Sequence, residues 1–334
     1  MNASLPKILI LGGTEFVGRQ LVEHLLESKD YDVYLFNRGK TNPNLFPHAN
    51  RIIGDRETDD IEQIGQYHWD HVVDFSSYFP DSLQRTLDHI NRDVKTYIYI
   101  STISVYTMAA YGEQTMVAED FPKKTFEPEQ LREPSLKFYG EKKAACEDIL
   151  NRADWLESIV LRPSVIYGKY DPTDRIYYWI DRIKNKGKLI LPQNGAYHIS
   201  LTFASDLVET IKIALNGKLA PGTYNCVSDQ PYHFHELMEA IRAALKSKCQ
   251  LIPADKNWLR EKNLTNRHFP LWWGAGITID NQKLRMAADP KFTSVQDSIS
   301  QTTEYYRRKG WPSPKVGITY EEEEKLLDEL NTIL

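Results

Sequence analysis

The chain has 334 residues, 41% of them hydrophobic and 26% charged, with a formal net charge of -5. At roughly 100–200 residues per domain, this is one large domain or two closely joined ones, with enough apolar content for a core. A negative balance supplies no global basic field, so no nucleic-acid partner is expected.

No stretch approaches the roughly 20 apolar residues that span a bilayer, so no membrane association is expected. The start, Met1–Leu11, runs from a short apolar stretch straight into glycines. It reads as a first strand and not a signal peptide. Cys146, Cys226 and Cys249 lie far apart, which argues against a disulfide framework and against a zinc site. The set fits a reducing compartment. A cytoplasmic protein without a metal is expected.

Lys7–Leu11 reads as a buried strand, and Arg19–Ser28 as a helix with Leu21, Val22, Leu25 and Leu26 on one face. Strands follow at Asp32–Asn37, Arg51–Gly54 and Val72–Asp74. A helix at Ser82–Asn91 leads to a fifth strand at Thr96–Ile100. The pattern then predicts a long helix over Ser135–Asn151, capped by Ser135, and a sixth strand at Leu156–Leu161. Beyond Pro163 helices are expected at Asp206–Leu215 and Phe234–Ala244, and a terminal amphipathic helix at Glu321–Leu334. The early glutamates of that last helix suit its dipole. This β-α-β alternation predicts an α/β fold, a Rossmann-type doubly wound parallel sheet. Residues 1–165 are expected to form it. Residues 166–334 mainly form a smaller C-terminal substrate-binding lobe, with some segments returning to the sheet.

The segment Gly12-Gly13-Thr14-Glu15-Phe16-Val17-Gly18 joins the first strand to the first helix. A turn there needs residues without a Cβ clash, and a helix amino end offers free N–H groups to a pyrophosphate. Gly12 makes the turn, and Gly18 lets helix and strand pack closely. At the end of the second strand an acidic side chain normally binds the ribose hydroxyls of NAD. Here that place holds Asn37, followed by Arg38. A guanidinium pairs well with a 2′-phosphate, which tilts the expected cofactor from NAD towards NADP.

Strand five ends in Ser101-Thr102-Ile103-Ser104, and the next helix carries Tyr139 and Lys143. Four apart, those two share a helix face. A phenol titrates near 10 and is a poor base at neutral pH. A nearby ammonium lowers that value, so the phenol can exchange a proton with a hydroxyl as hydride leaves or joins the adjacent carbon. Thr102 would hydrogen-bond the same oxygen.

These features, in this order, resemble the extended short-chain dehydrogenase/reductase superfamily and its NAD-dependent epimerase/dehydratase family. The G-G-T-x-F-V-G form resembles an atypical branch, because Glu15 stands where the family has its middle glycine. The resemblance makes Thr102, Tyr139 and Lys143 the catalytic residues, with Ser104 an accessory hydroxyl towards the substrate. It places Asp55 and Arg56 at the adenine, Phe75, Ser76 and Ser77 along the ribose side, Ser101 beside the cofactor, and Pro163 and Ser164 at the nicotinamide amide. The Leu161–Gly168 segment carries the family's R-P-x-x-x-Y-G pattern. A homodimer through Ser82–Asn91 and Leu136–Leu150 is a further expectation from the resemblance.

Family dehydratases follow the catalytic threonine with Asp and Glu, whereas Ile103 and Ser104 stand here. The resemblance therefore implies an epimerase or oxidoreductase acting on a sugar nucleotide or related hydroxylated small molecule. Arg175 is a candidate partner for a substrate diphosphate or carboxylate. Tyr177, Tyr178, Trp179, Trp258, Trp272 and Trp273 are either core or pocket. Two other readings stay open: an NADPH-dependent reductase of a non-nucleotide carbonyl, and a non-catalytic cofactor-sensing or RNA-binding protein.

Overall fold

The computed structural model describes residues 4–107 and 116–332. The ends of the segments Met1–Leu11 and Glu321–Leu334, residues 1–3 and 333–334, lie outside the described residues. The first half runs β1 (Lys7–Leu11), α1 (Phe16–Ser28), β2 (Asp32–Asn37), β3 (Asn50–Ile53), β4 (His71–Asp74), α2 (Pro80–His89) and β5 (Thr96–Ile100). Then come β6 (Met116–Val117), α3 (Pro128–Arg132), α4 (Tyr139–Arg152), β7 (Ser158–Pro163), β8 (Val165–Tyr167) and α5 (Arg175–Asn185). The chain continues through β9 (Lys188–Pro192), β10 (His198–Ile199), β11 (Leu201–Phe203), α6 (Ala204–Leu215), β12 (Gly222–Cys226) and β13 (Tyr232–His233). It closes with α7 (Phe234–Leu245), β14 (Gln250–Ala254), α8 (Lys256–Glu261), β15 (Thr278–Ile279), α9 (Gln282–Ala288), α10 (Val295–Arg308) and α11 (Tyr320–Asn331).

Seven strands form one parallel sheet in the order β12-β7-β5-β4-β1-β2-β3. This is the doubly wound Rossmann arrangement. Alternate residues of β1 face opposite sides. Ile8 and Ile10 pack with Val22, Leu25, Leu207 and Ile211 of α1 and α6, while Leu9 and Leu11 pack with Leu83 of α2 and Leu150 of α4. The chain reverses direction of growth between β1 and β4, and ligands of such sheets bind where strand ends diverge at that point. A third cluster, with Trp179, Phe234, Phe269 and Ile299, builds the C-terminal lobe around α5, α7 and α10.

Several boundaries differ from the sequence pattern for local reasons. α2 begins two residues early because Pro80 sits at its first turn, where a missing N–H costs nothing. α4 begins at Tyr139, not Ser135. Phe138 is left-handed, φ 60°, and the Ser135 hydroxyl accepts from the Lys137 N–H instead of capping the helix. Lys142 donates to the carbonyls of Glu133 and Ser135 and pins this entry loop from inside α4.

Candidate active site

A continuous cleft of about 1020 Å³ runs along the carboxyl edge of the sheet, from the glycine turn to the C-terminal lobe. At its first end Gly12 has φ 108° and its N–H donates to the Phe36 carbonyl at 3.0 Å. A Cβ on Gly18 would lie 3.0 Å from Gly13 Cα and 3.3 Å from the Phe75 ring, so only glycine lets α1 seat this close. Thr14, Phe16 and Val17 line the same wall. Glu15 is the exposed N-cap of α1 and makes no side-chain bond to it. The first-turn N–H groups therefore carry no side-chain cap and suit a pyrophosphate.

The end of the cleft expected to take the adenosine is bounded by Asn37, Arg38, Lys40, Asp55 and Arg56. Asn37 was expected to meet the ribose, but its amide is engaged within the protein. Its Nδ2 donates to the Gly12 carbonyl at 3.3 Å and its Oδ1 accepts from the Gly39 N–H at 2.9 Å. Arg38 and Lys40 are the exposed cations of this rim. Arg56 also departs from expectation. Its guanidinium turns inward to Asp74, with Nη1 at 2.8 Å, and to Thr86 Oγ1 at 2.7 Å.

Phe75 and Ser76 line the middle of the cleft, whereas Ser77 does not. The predicted place for Ser77 on the ribose side is corrected. It is fully buried, and its hydroxyl and N–H both donate to the Asp74 carboxylate. A buried carboxylate at a strand end needs donors, and Ser77 supplies two.

Further along the cleft, Thr102 stands extended before the Ile103–Val105 turn. Its hydroxyl accepts from the Ser104 N–H at 3.1 Å and donates to Ser104 Oγ at 3.2 Å. Tyr139 opens α4 beside it. Burial pushes the Tyr139 phenol well above the usual range, with Tyr78 adding to the rise. A hydrogen bond with Thr102 and the charge of Arg175 pull the other way. Burial thus outweighs these two in setting the phenol.

The Lys143 ammonium rests on the carbonyls of Ile100 (2.6 Å) and Ser77 (3.0 Å), over the rings of Tyr99 and Tyr78. Complete burial lowers its pKa to about 8, a bias of roughly 3 kcal/mol towards the neutral amine. Ser101 lines the cleft, but its hydroxyl donates to Glu147 Oε1 at 2.6 Å. Glu147 in turn pairs with Arg162 at 2.6 Å, tying α4 to β7.

Pro163 and Ser164 also line the cleft, with Ser164 Oγ donating to the Ser200 carbonyl at 2.6 Å. Arg175 and Ser104 line the cleft further on, joined by Trp273 and by Lys124, which the motifs had not marked. Arg175 Nε donates to Thr173 Oγ1 at 3.2 Å. Of the aromatic group, Tyr177, Tyr178, Trp179, Trp258 and Trp272 are core, and Trp273 lines the cleft. Tyr78 is the other omission. It lines the cleft with its ring centroid 6.2 Å from that of Tyr139. Its place directly after the Phe75–Ser77 run was the available signal.

A glycine turn at the sheet's switch point, leading along one cleft to a hydroxyl–tyrosine–lysine group, defines a nicotinamide-dependent enzyme on a Rossmann fold. The chain belongs to the NAD dependent epimerase/dehydratase family, whose model matches residues 8–226. No curated protein matches it by sequence.

Solved structures similar to it include the UDP-glucuronic acid 4-epimerase of Bacillus cereus in complex with NAD. The TM-score is 0.69 at 16% identity, covering 92% of this chain and 100% of that one. The UDP-glucose 4-epimerase of Thermotoga maritima with UDP-glucose aligns with TM-score 0.68 at 17% identity, covering 91% and 99%. The dTDP-glucose 4,6-dehydratase of Bacillus anthracis in complex with NAD gives 0.67 at 20% identity, covering 92% and 98%. At these identities the likeness is one of fold. No helix among the described residues is long and apolar enough to cross a membrane.

Proposed function

We propose that the protein is an NAD(P)-dependent epimerase or oxidoreductase acting at a carbinol carbon of a sugar nucleotide or related hydroxylated molecule. The observation that carries this reading is the continuity of one cleft from Gly12 and Gly18 to Thr102, Tyr139 and Lys143. The cleft residues fit a dinucleotide: the glycine turn would admit its close approach, and the uncapped N–H groups of α1 would hold its pyrophosphate. When bound, the nicotinamide supplies the hydride acceptor or donor.

The protein's own part is proton handling and orientation. Thr102 hydrogen-bonds the substrate oxygen, and Tyr139 gives or takes its proton. Lys143, one helical turn further along α4, supplies a positive charge that stabilises phenolate as it forms. Ile103 and Ser104 put no carboxylate next to Thr102, so elimination of the dehydratase kind has no local acid–base pair. Arg175 and Lys124 give the substrate end a positive character suited to a diphosphate or carboxylate.

Arg38 and Lys40 at the adenosine rim, with the Asn37 amide already occupied, favour NADP over NAD. A cytoplasmic location belongs to the same reading, supported by three buried free cysteines. So does a homodimer through α2 and α4, which light scattering would check. Mass spectrometry of the freshly purified, denatured protein tests the cofactor reading. Retained nicotinamide dinucleotide supports internal hydride recycling, as epimerisation requires. If none is retained and none binds on addition, the reading fails.

A further inference from the structure

Asp74 ends β4 and is completely buried. Its carboxylate accepts from Arg56 Nη1 at 2.8 Å and Nη2 at 3.2 Å, from the N–H groups of Ser76 at 3.0 Å and Ser77 at 2.9 Å, and from the Tyr97 phenol at 2.8 Å. The Ser77 hydroxyl donates to it as well. These bonds hold its carboxyl down at about 2, so it stays charged. A buried ion pair can simply hold a fold together. This one is attached to the residue that carries Lys143. The carbonyl of Ser77 accepts from the Lys143 ammonium at 3.0 Å and from the Tyr99 phenol at 3.1 Å. On the other side, Arg56 borders the adenosine end of the cleft and also donates to Ser76 Oγ at 3.0 Å.

We propose that Asp74, held by Arg56, is a positioning residue for Lys143: it fixes the Ser77 peptide on whose carbonyl the ammonium rests, and so links the adenosine end of the cleft to the reacting pair. The inference rests on Tyr139 and Lys143 being that pair. Four hydrogen bonds meet at Ser77: its N–H and hydroxyl donate to Asp74, and its carbonyl accepts from Lys143 and Tyr99, which leaves its backbone little freedom to rotate. The charge acts in the same direction as the geometry. Asp74, Cys146 and Glu147 favour the ammonium, Arg56 and burial oppose it, and the rings of Tyr78 and Tyr99 face it. Of the two carboxylates, Asp74 is the one that comes from a different element of the fold.

The test reads Lys143 directly, in the full-length protein labelled with ¹⁵N-lysine. Its Nζ signal is identified by its loss in Lys143→Met and followed by nuclear magnetic resonance across pH. Asp74→Asn is expected to lower the Lys143 midpoint by roughly one pH unit, as loss of a close opposite charge does. A folded Asp74→Asn protein with an unmoved midpoint would overturn the proposal. Should that variant not fold, Arg56→Met with Asp74→Asn leaves no unpaired buried charge. There the Nζ protons should exchange with water at least about tenfold faster once the Ser77 carbonyl is released. Wild-type exchange would overturn the proposal equally. An unchanged Lys143 signal sinks this inference alone. Turnover that survives Tyr139→Phe sinks the functional reading and leaves the Lys143 measurement standing.

Discussion

The Cβ that Gly140 lacks would lie 2.0 Å from the carbonyl oxygen of Ser104. The helix that carries Tyr139 therefore touches the turn that carries Thr102, backbone against backbone. Any side chain at Gly140 must push the two apart. Gly140→Ala should destabilise the protein by about 1–3 kcal/mol, as overpacking does, and lower turnover by at least about tenfold through misplacement of Tyr139. Denaturant unfolding and kcat measured on the same preparation check this. Wild-type values for both would show that the contact is not tight in solution.

Lys143 sets an alkaline limit. Burial brings its pKa to about 8, and the charged form is the one that supports phenolate at Tyr139. Activity should hold below that value and fall as pH rises through it. A profile of kcat/KM between pH 6 and 10 reads this. No decline by pH 9.5 would mean that Lys143 stays charged or is not required.

Arg38 and Lys40 should decide between cofactors. Arg38→Ala is expected to weaken NADP by about tenfold or more, the scale of one charge-assisted hydrogen bond, with little effect on NAD. Lys40→Ala should act in the same sense. Titration of each variant with both cofactors checks it, and equal losses would remove the 2′-phosphate argument.

Asp74 predicts an acid-side weakness. Its folded pKa, about 2, lies below the ordinary carboxylate value of about 3.9. The resulting stability is present above the unfolded value and is lost as pH falls through the folded one. It amounts to roughly 2–3 kcal/mol. The stability gap between wild type and Asp74→Asn should therefore shrink between pH 4 and pH 2. A constant gap over that range would contradict the assignment.

The strands and the order of the site were legible because they rest on local signals. β1 shows buried apolar residues followed by glycines, and Tyr139 and Lys143 keep their spacing wherever the helix begins. What escaped depends on contacts distant in sequence. The start of α4 is set by the left-handed Phe138 and by Lys142 gripping carbonyls seven and nine residues back. Ser77 turns inward because Asp74 and Arg56 meet across 18 residues of chain. The ionisation of Tyr139 follows its burial, which no spacing reports. Trp273 was separable from Trp272 only once the lobe's core was in view.

The central claim is that Tyr139 handles the proton at the substrate carbinol. The most direct test is turnover of a panel of UDP- and dTDP-sugars by wild type and Tyr139→Phe, with cofactor affinity measured in the same samples. We expect turnover to fall by at least about 100-fold, the scale of general acid–base catalysis, while the cofactor binds as in wild type. Turnover undiminished in Tyr139→Phe would contradict the account.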